Sequence, residues 1–223
     1  MLYQALHVTI RPAALALWRP KIIGAQNVPA SGPVILASNH LSFADSVAIP
    51  LVSPRQVAFL AKEEYFTGTG PKGWVSRTWF TSIGSIPVNR DHARSAQDSL
   101  DVALAHLQNG GVFGIYPEGT RSRDGSLYRF RTGVAWLALH ANCPVVPVAV
   151  TGTDALMPVG ARLPRVRTFT VEFGEPLDFS ERYAGVPAGR ARREVADEIY
   201  QAVLAMSGQE EAGEYNQRQA DVT

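Results

Sequence analysis

The chain has 223 residues, 46% of them hydrophobic and 18% charged, and its 21 basic against 20 acidic side chains leave a formal charge of +1. That length suits one domain with a proper core, and the composition excludes a disordered body. The near-neutral balance argues against a nucleic-acid partner, and no run approaches the ~20 apolar residues of a membrane-spanning helix.

Residues 1–25 read as an amphipathic helical segment. Leu2, Leu6, Ile10 and Leu17, with Ala5 and Ala13 between, follow helical spacing over residues 2–18, and Pro12 should kink or split the helix. Tyr3, His7, Trp18, Arg19 and Lys21 suit a headgroup boundary, so the segment fits a helix on the core and a membrane-interface anchor alike. Residues 26–33 are a loop, and residues 34–37 a buried strand that runs into Ser38-Asn39-His40-Leu41-Ser42-Phe43-Ala44-Asp45. A helix ending near Pro50 follows, then strands over 56–61 and 85–89, with a loop at 67–73 and an aromatic segment around Trp74 and Trp79 between them. Residues 94–108 form an amphipathic helix with Leu100, Leu104 and Leu107 on one face, capped by Gly110-Gly111. A strand at 112–116, a helix at 132–140, strands at 145–150 and 168–173 and a helix at 190–206 complete the body. Residues 207–223, with Glu210, Glu211, Glu214 and Asp221 against Arg218, read as a loose polar, acidic tail.

Apolar strands alternating with helices predict that residues 26–206 are one α/β domain with a largely parallel central sheet flanked by helices. Ligands of such folds collect at the carboxyl ends of strands, here the turns after residues 37, 89 and 116. The single cysteine, Cys143, precedes an apolar run and is expected to be a buried, inert thiol. No secretion signal is visible, so the expected setting is cytosolic. Gly68-Thr69-Gly70-Pro71-Lys72-Gly73 matches G-x-G-x-x-G, but it stands several residues past its strand and Pro71 removes an N–H, so a surface loop is expected instead of a dinucleotide turn. There is no G-x-S-x-G elbow, no phosphate-binding Walker run and no Cys/His cluster, so no metal site is expected.

His40 follows directly from a strand, and Asp45 stands five residues on. Across a turn into a helix, that spacing can bring the carboxylate to the imidazole, fix its tautomer and leave the other ring nitrogen as a base. Taken alone, H-x-x-x-x-D is common by chance and equally describes a polar loop residue. The second element is Glu118-Gly119-Thr120-Arg121-Ser122, also past a strand. Gly119 permits close approach to the backbone, Thr120 and Ser122 carry hydroxyls, and Arg121 offers a planar fork for a phosphate or carboxylate. Arg123, Arg129 and Arg131 follow against Asp124 alone, and Arg90 ends another strand. A solvated basic loop is the plain reading of such a run; a base beside an anion pocket suggests a phosphorylated alcohol as substrate.

Together these residues resemble the glycerolipid acyltransferase family that includes the 1-acylglycerol-3-phosphate acyltransferases. Asn39–Asp45 matches the N-H-x-x-x-x-D motif, and Gly84-Ser85-Ile86-Pro87-Val88-Asn89-Arg90 the second block. Tyr116-Pro117-Glu118-Gly119-Thr120-Arg121-Ser122 matches F-P-E-G-T-R-S with tyrosine for phenylalanine, and Val146-Pro147-Val148 the fourth block. Where the family often carries a lysine, Phe130-Arg131-Thr132-Gly133 has arginine. The resemblance implies that His40 deprotonates an acceptor hydroxyl, that Asp45 orients the imidazole, and that the hydroxyl attacks an acyl thioester with no acyl-enzyme. It implies that Arg90 and Arg121 hold the acceptor phosphate, with Gly119, Thr120 and Arg131 beside them, Glu118 bracing the pocket and a backbone N–H near Gly119 serving the oxyanion. The implied partners are lysophosphatidic acid, or a related phosphorylated glycerol such as glycerol-3-phosphate or another lysophospholipid, and acyl-CoA or acyl carrier protein as co-substrate, with no bound cofactor. The implied setting is peripheral, on the cytoplasmic face of the cell membrane. A non-enzymatic lipid-binding domain is the competing class, and the intact His40/Asp45 pair argues against it.

Overall fold

Val34, Ile35, Leu36 and Ala37 are all fully buried, yet they face two different cores. Strand geometry sends successive side chains to opposite faces. Ile35 and Ala37 therefore join one cluster with Phe113, Leu137 and Ile199, while Val34 and Leu36 join another with Ile49, Val146 and Phe173. This strand, β2 (Val34–Ser38), lies inside a sheet covered on both faces. The computed structural model describes residues 11–82, 84–88, 95–161 and 163–217.

In chain order the remaining elements are a helix over residues 11–18 (α1), β1 (Lys21–Ile23), α2 (Asp45–Val52), β3 (Val57–Ala58), β4 (Leu60–Lys62), α3 (Glu64–Thr67) and α4 (Gly70–Ser82). They continue through β5 (Ile86–Val88), α5 (Ser95–Gln108), β6 (Val112–Ile115), α6 (Gly133–Ala141), β7 (Val145–Thr151), α7 (Thr153–Leu156), β8 (Thr170–Phe173) and α8 (Ala188–Ser207). The main sheet has six strands in the order β1-β8-β7-β2-β6-β3. β7, β2, β6 and β3 run parallel, whereas β8 is antiparallel to β7 and carries β1 with it. The largely parallel α/β fold expected from the sequence is therefore present. α5, α6 and α8 cover the first cluster's face, and α1, α2 and α7 the other. Cys143 is buried in the first cluster, where burial pushes its thiol up to about 12.

Several local expectations change. Of the helix expected over 2–18, residues 11–18 are helical and 2–10 lie outside the described residues. The single strand expected over 56–61 breaks at Phe59 into β3, which pairs with β6, and β4, which leaves the sheet to pair with β5. β5 thus belongs to a separate two-stranded ribbon and not to the main sheet, and the turn expected after residue 89 lies outside the described residues. The glycine-rich run 68–73 is not a loop throughout, because α4 begins at Gly70. There the backbones of Gly68 and Gly73 touch: a Cβ on Gly73 would come within 2.2 Å of the Gly68 carbonyl. The tail is not loose over residues 209–217. After Gly208 ends α8 in the left-handed region, Leu127 N–H donates to Glu210 O, Arg129 N–H to Glu214 O and Ala212 N–H to Leu127 O, at 2.8–3.0 Å. The Tyr215 ring then lies 5.5–5.9 Å from the guanidinium carbons of Arg129, Arg131 and Arg193.

The break at Phe59 has a packing cause. Its buried ring covers Gly114 in the middle of β6, where a Cβ would stand 2.2 Å from the ring. Gly114→Ala should therefore destabilise the protein by ~1–3 kcal/mol in urea unfolding. Phe59→Leu should cost less in the Gly114→Ala background than in the wild type; simple additivity would show that this contact is not the constraint.

Candidate active site

Register places the two motif loops side by side. Ala37 pairs with Ile115 on neighbouring parallel strands, so the chain leaves β2 and β6 at the same edge. From β2 it passes through Ser38 and Asn39 to His40; from β6 through Tyr116 and Pro117 to Glu118. Asn39 is fully buried, and its amide continues the β2–β7 pairing: Nδ2 donates to Val150 O at 2.9 Å and Oδ1 accepts Val150 N–H at 2.8 Å. The same Nδ2 donates to Gln209 Oε1 at 2.7 Å, tying the tail to this edge.

His40 Nδ1 lies 2.8 Å from Asp45 Oδ2. Asp45 opens α2, where the helix N-terminus favours a negative charge. Its Oδ2 also accepts the Leu41 and Ser42 N–H groups at 2.7 and 2.8 Å. The acceptor role of Oδ2 puts the imidazole proton on Nδ1 and leaves Nε2 with its lone pair. Asp45 is fully buried and its Oδ1 has no hydrogen-bond partner, while the His40 side chain is 15% exposed. An imidazolium forming at His40 would meet negative charge that only part of the surrounding hydrogen bonding satisfies.

Tyr116 covers one face of the imidazole, its ring stacked 3.8 Å away and inclined by 9°, and Phe59 stacks behind it at 5.1 Å. Burial first, and the Asp45 charge second, hold the Tyr116 phenol well above its usual range, so it stays neutral and shares a 3.1 Å hydrogen bond with Ser46 Oγ. The tyrosine that stands where the family pattern has phenylalanine thus finds a partner for its extra oxygen.

Glu118, expected to brace the phosphate pocket, is fully buried. Its Oε1 accepts His40 N–H at 2.8 Å and its Oε2 accepts Tyr128 N–H at 3.1 Å. The opposite side of the His40 backbone is held too, since Ser122 N–H donates to His40 O at 2.7 Å. Glu118 braces the histidine's main chain and does not face a solute. Burial pushes its carboxyl from the ordinary 4.5 up to about 8; the Tyr128 and His40 N–H groups pull the other way, and the Asp45 and Asp124 charges add to the rise.

Gly119 adopts φ +85°, a region that favours glycine, and a Cβ there would stand 2.8 Å from Arg131 Nε. Its N–H donates to Tyr116 O at 3.0 Å, so that group is spent within the turn and is not the oxyanion donor expected near Gly119. Thr120 and Arg121 are on the same loop, both half-buried, and Arg131 is exposed. The tail staples this loop: Asn216 Nδ2 donates to Arg121 O at 3.2 Å, and Arg131 donates to Asn216 O at 3.0 Å. Arg90 lies outside the described residues. His40, Asp45, Glu118, Gly119, Arg121 and Arg131 thus form one connected edge. Asn39, Tyr116, Gln209 and Asn216 belong to it as well, although the sequence assigned them no role.

A family model described as acyltransferase matches residues 19–151. A chloroplast 1-acyl-sn-glycerol-3-phosphate acyltransferase of Arabidopsis thaliana is 32% identical over 145 residues, covering 65% of this chain and 39% of its own length. The Bacillus subtilis enzyme of the same name is 27% identical over 170 residues, covering 75% of this chain and 78% of its own. This chain spans about two fifths of the length of the chloroplast relatives it matches. The crystal structure of the 1-acyl-sn-glycerophosphate acyltransferase PlsC from Thermotoga maritima superposes with a TM-score of 0.65 at 24% identity, over 92% of this chain and 79% of that one.

The raised Glu118 carboxyl has a signed consequence. The folded chain keeps a proton that the unfolded chain releases near 4.5, so this contribution to stability is fully present below 4.5 and is lost as pH rises through about 8. Wild-type unfolding free energy should fall across that window by up to ~1.4 kcal/mol per pH unit relative to Glu118→Gln. Parallel pH profiles in urea melts would show that Glu118 does not titrate there.

Proposed function

The chain belongs to the acyltransferase family, and from that premise we propose that it moves a fatty acyl group from an acyl thioester to the free hydroxyl of 1-acylglycerol-3-phosphate, giving phosphatidic acid. The observation that carries this reading is the 2.8 Å contact between His40 Nδ1 and buried Asp45 Oδ2, on the strand edge that also bears Arg121. The named relatives from a plant plastid and a bacterium support the choice of acceptor.

In this reading His40 Nε2 takes the proton of the acceptor hydroxyl as its oxygen attacks the thioester carbonyl carbon. The tetrahedral intermediate collapses, the carbon–sulfur bond breaks, and the sulfur leaves as a thiol carrying the proton back from His40. Asp45 holds the ring and stabilises the imidazolium between the two transfers. No acyl-enzyme forms, so the thioester of coenzyme A or of acyl carrier protein is a co-substrate and no cofactor is needed. Arg121 and Arg90 hold the acceptor phosphate through charge-assisted hydrogen bonds, with Thr120 and Arg131 alongside. Glu118 and Ser122 act through the His40 backbone as positioning residues. Acceptor and product are lipids, so the enzyme works peripherally at a bilayer, on its cytoplasmic face.

The test is an acceptor panel with one long-chain acyl-CoA: glycerol-3-phosphate, its 1-acyl and 2-acyl forms, and lysophosphatidylcholine. The 1-acyl phosphate should give the highest kcat/KM; a preference for glycerol-3-phosphate or the choline lipid would reassign the acceptor. His40→Ala should lower kcat about a hundredfold or more with an unchanged melting temperature, and wild-type turnover in that variant would remove His40 as the base. Arg121→Ala should raise the KM for the phosphorylated acceptor about tenfold with a smaller effect on kcat.

A further inference from the structure

Between α7 and β8 the chain runs through irregular backbone at residues 157–161 and 163–169. It carries the three most exposed large hydrophobic side chains among the described residues: Leu163 at 78%, Val159 at 71% and Val166 at 66%. Arg165 and Arg167, both exposed, alternate with them. The segment is held from below. Arg165 N–H donates to Leu156 O at 2.8 Å, Trp18 Nε1 to Arg165 O at 3.1 Å, and Thr168 Oγ1 to Arg19 O at 2.7 Å. It therefore shares one surface with the end of α1, where Leu17, Arg19 and Lys21 are also exposed.

The segment also adjoins the site. Ser42 Oγ donates to Met157 O at 2.8 Å, next to the N–H of Ser42 that holds Asp45. Met157, Pro158 and Val159 line a cavity of about 330 Å³ together with Leu41, Ser122 and Gln209.

We propose that residues 157–161 and 163–168 seat the protein on an anionic bilayer: Val159, Leu163 and Val166 enter the acyl layer, Arg165 and Arg167 pair with headgroup phosphates, and the cavity mouth is set against the lipid. The proposal deepens the reading above, that the acceptor is a membrane lipid. The occupant follows from the side chains. Protein docking sites concentrate their energy in Trp, Tyr and Arg seated in matching pockets, whereas aliphatic tips flanked by guanidinium groups need only a fluid apolar layer beneath phosphates.

The variant for the test is Leu163→Ser/Val166→Ser; Val159 is kept because it also lines the cavity. Vesicles of phosphatidylcholine with and without phosphatidylglycerol are used for flotation. The wild type should float with the phosphatidylglycerol vesicles, and the variant should bind them about tenfold more weakly. Turnover of a short-chain, water-soluble acceptor should be unchanged in the variant, and turnover of vesicle-embedded acceptor should fall. Because Cys143 is buried, Leu163→Cys can be labelled selectively with a polarity-sensitive fluorophore. Its emission should shift to the blue on anionic vesicles, and the same label on Gln201→Cys, exposed on α8 at the other face of the sheet, should not shift. Wild-type flotation by the variant, or an unshifted probe at position 163, overturns the proposal. So does a variant that binds vesicles normally but loses transfer from acyl carrier protein, which would make the surface a protein dock. If the wild type acylates no phosphorylated glycerol and the variant still loses flotation, the acceptor reading falls and the seating loop stands. If short-chain turnover is normal and the substitutions leave flotation unaffected, the acceptor reading stands and the seating loop falls.

Discussion

The site depends on one buried carboxyl group. Glu118 grips the main-chain N–H of His40 from one loop and of Tyr128 from another, and Ser122 closes the bracket on the His40 carbonyl. His40 and Glu118 are 78 positions apart in the chain, yet parallel register brings the ends of β2 and β6 to the same height and makes the bridge short. The backbone of His40 is thereby set by one loop and its side chain by Asp45 on α2, with Tyr116 closing one ring face. A second full negative charge so near Asp45 would be costly in a dry interior. The raised Glu118 carboxyl lightens that burden while keeping oxygens where the N–H groups need acceptors.

Family membership and site geometry bear on different questions. The match over residues 19–151 spans β1 through β7, which is the part of the chain that carries His40, Asp45, Glu118 and Arg121. The tail staple from Gln209 and Asn216 lies beyond that stretch. It holds the basic run at 121–131 from one side: Arg129 and Arg131 lie against the Tyr215 ring, and the Arg121 carbonyl is capped by Asn216.

The strands and their order of burial were legible in the sequence because a parallel sheet covered on both faces writes itself as continuous apolar runs, as in 34–37 and 145–150. His40, Asp45 and Arg121 were legible because their motifs are local in sequence. The break at Phe59 was not, because it depends on Gly114, which lies on another strand. The start of α4 at Gly70 was hidden behind a run rich in glycine and proline, which reads as a loop wherever tertiary contact is unknown. The tail read as loose because its polar side chains find partners only after folding: Gln209 meets Asn39 across 170 positions, and Asn216 meets Arg121 across 95. Glu118 was legible as a brace, but not what it braces, because its partners, the His40 and Tyr128 N–H groups, lie on other parts of the chain.

The tail staple also has a consequence for how the edge can move. Asn216 accepts Arg131 on its carbonyl and gives its amide to the Arg121 carbonyl, so the tail and the basic loop answer to one another. Whatever draws Arg131 away from Asn216 also loosens the hold on the Arg121 backbone. Opening of the tail and opening of the loop are therefore one event in place of two.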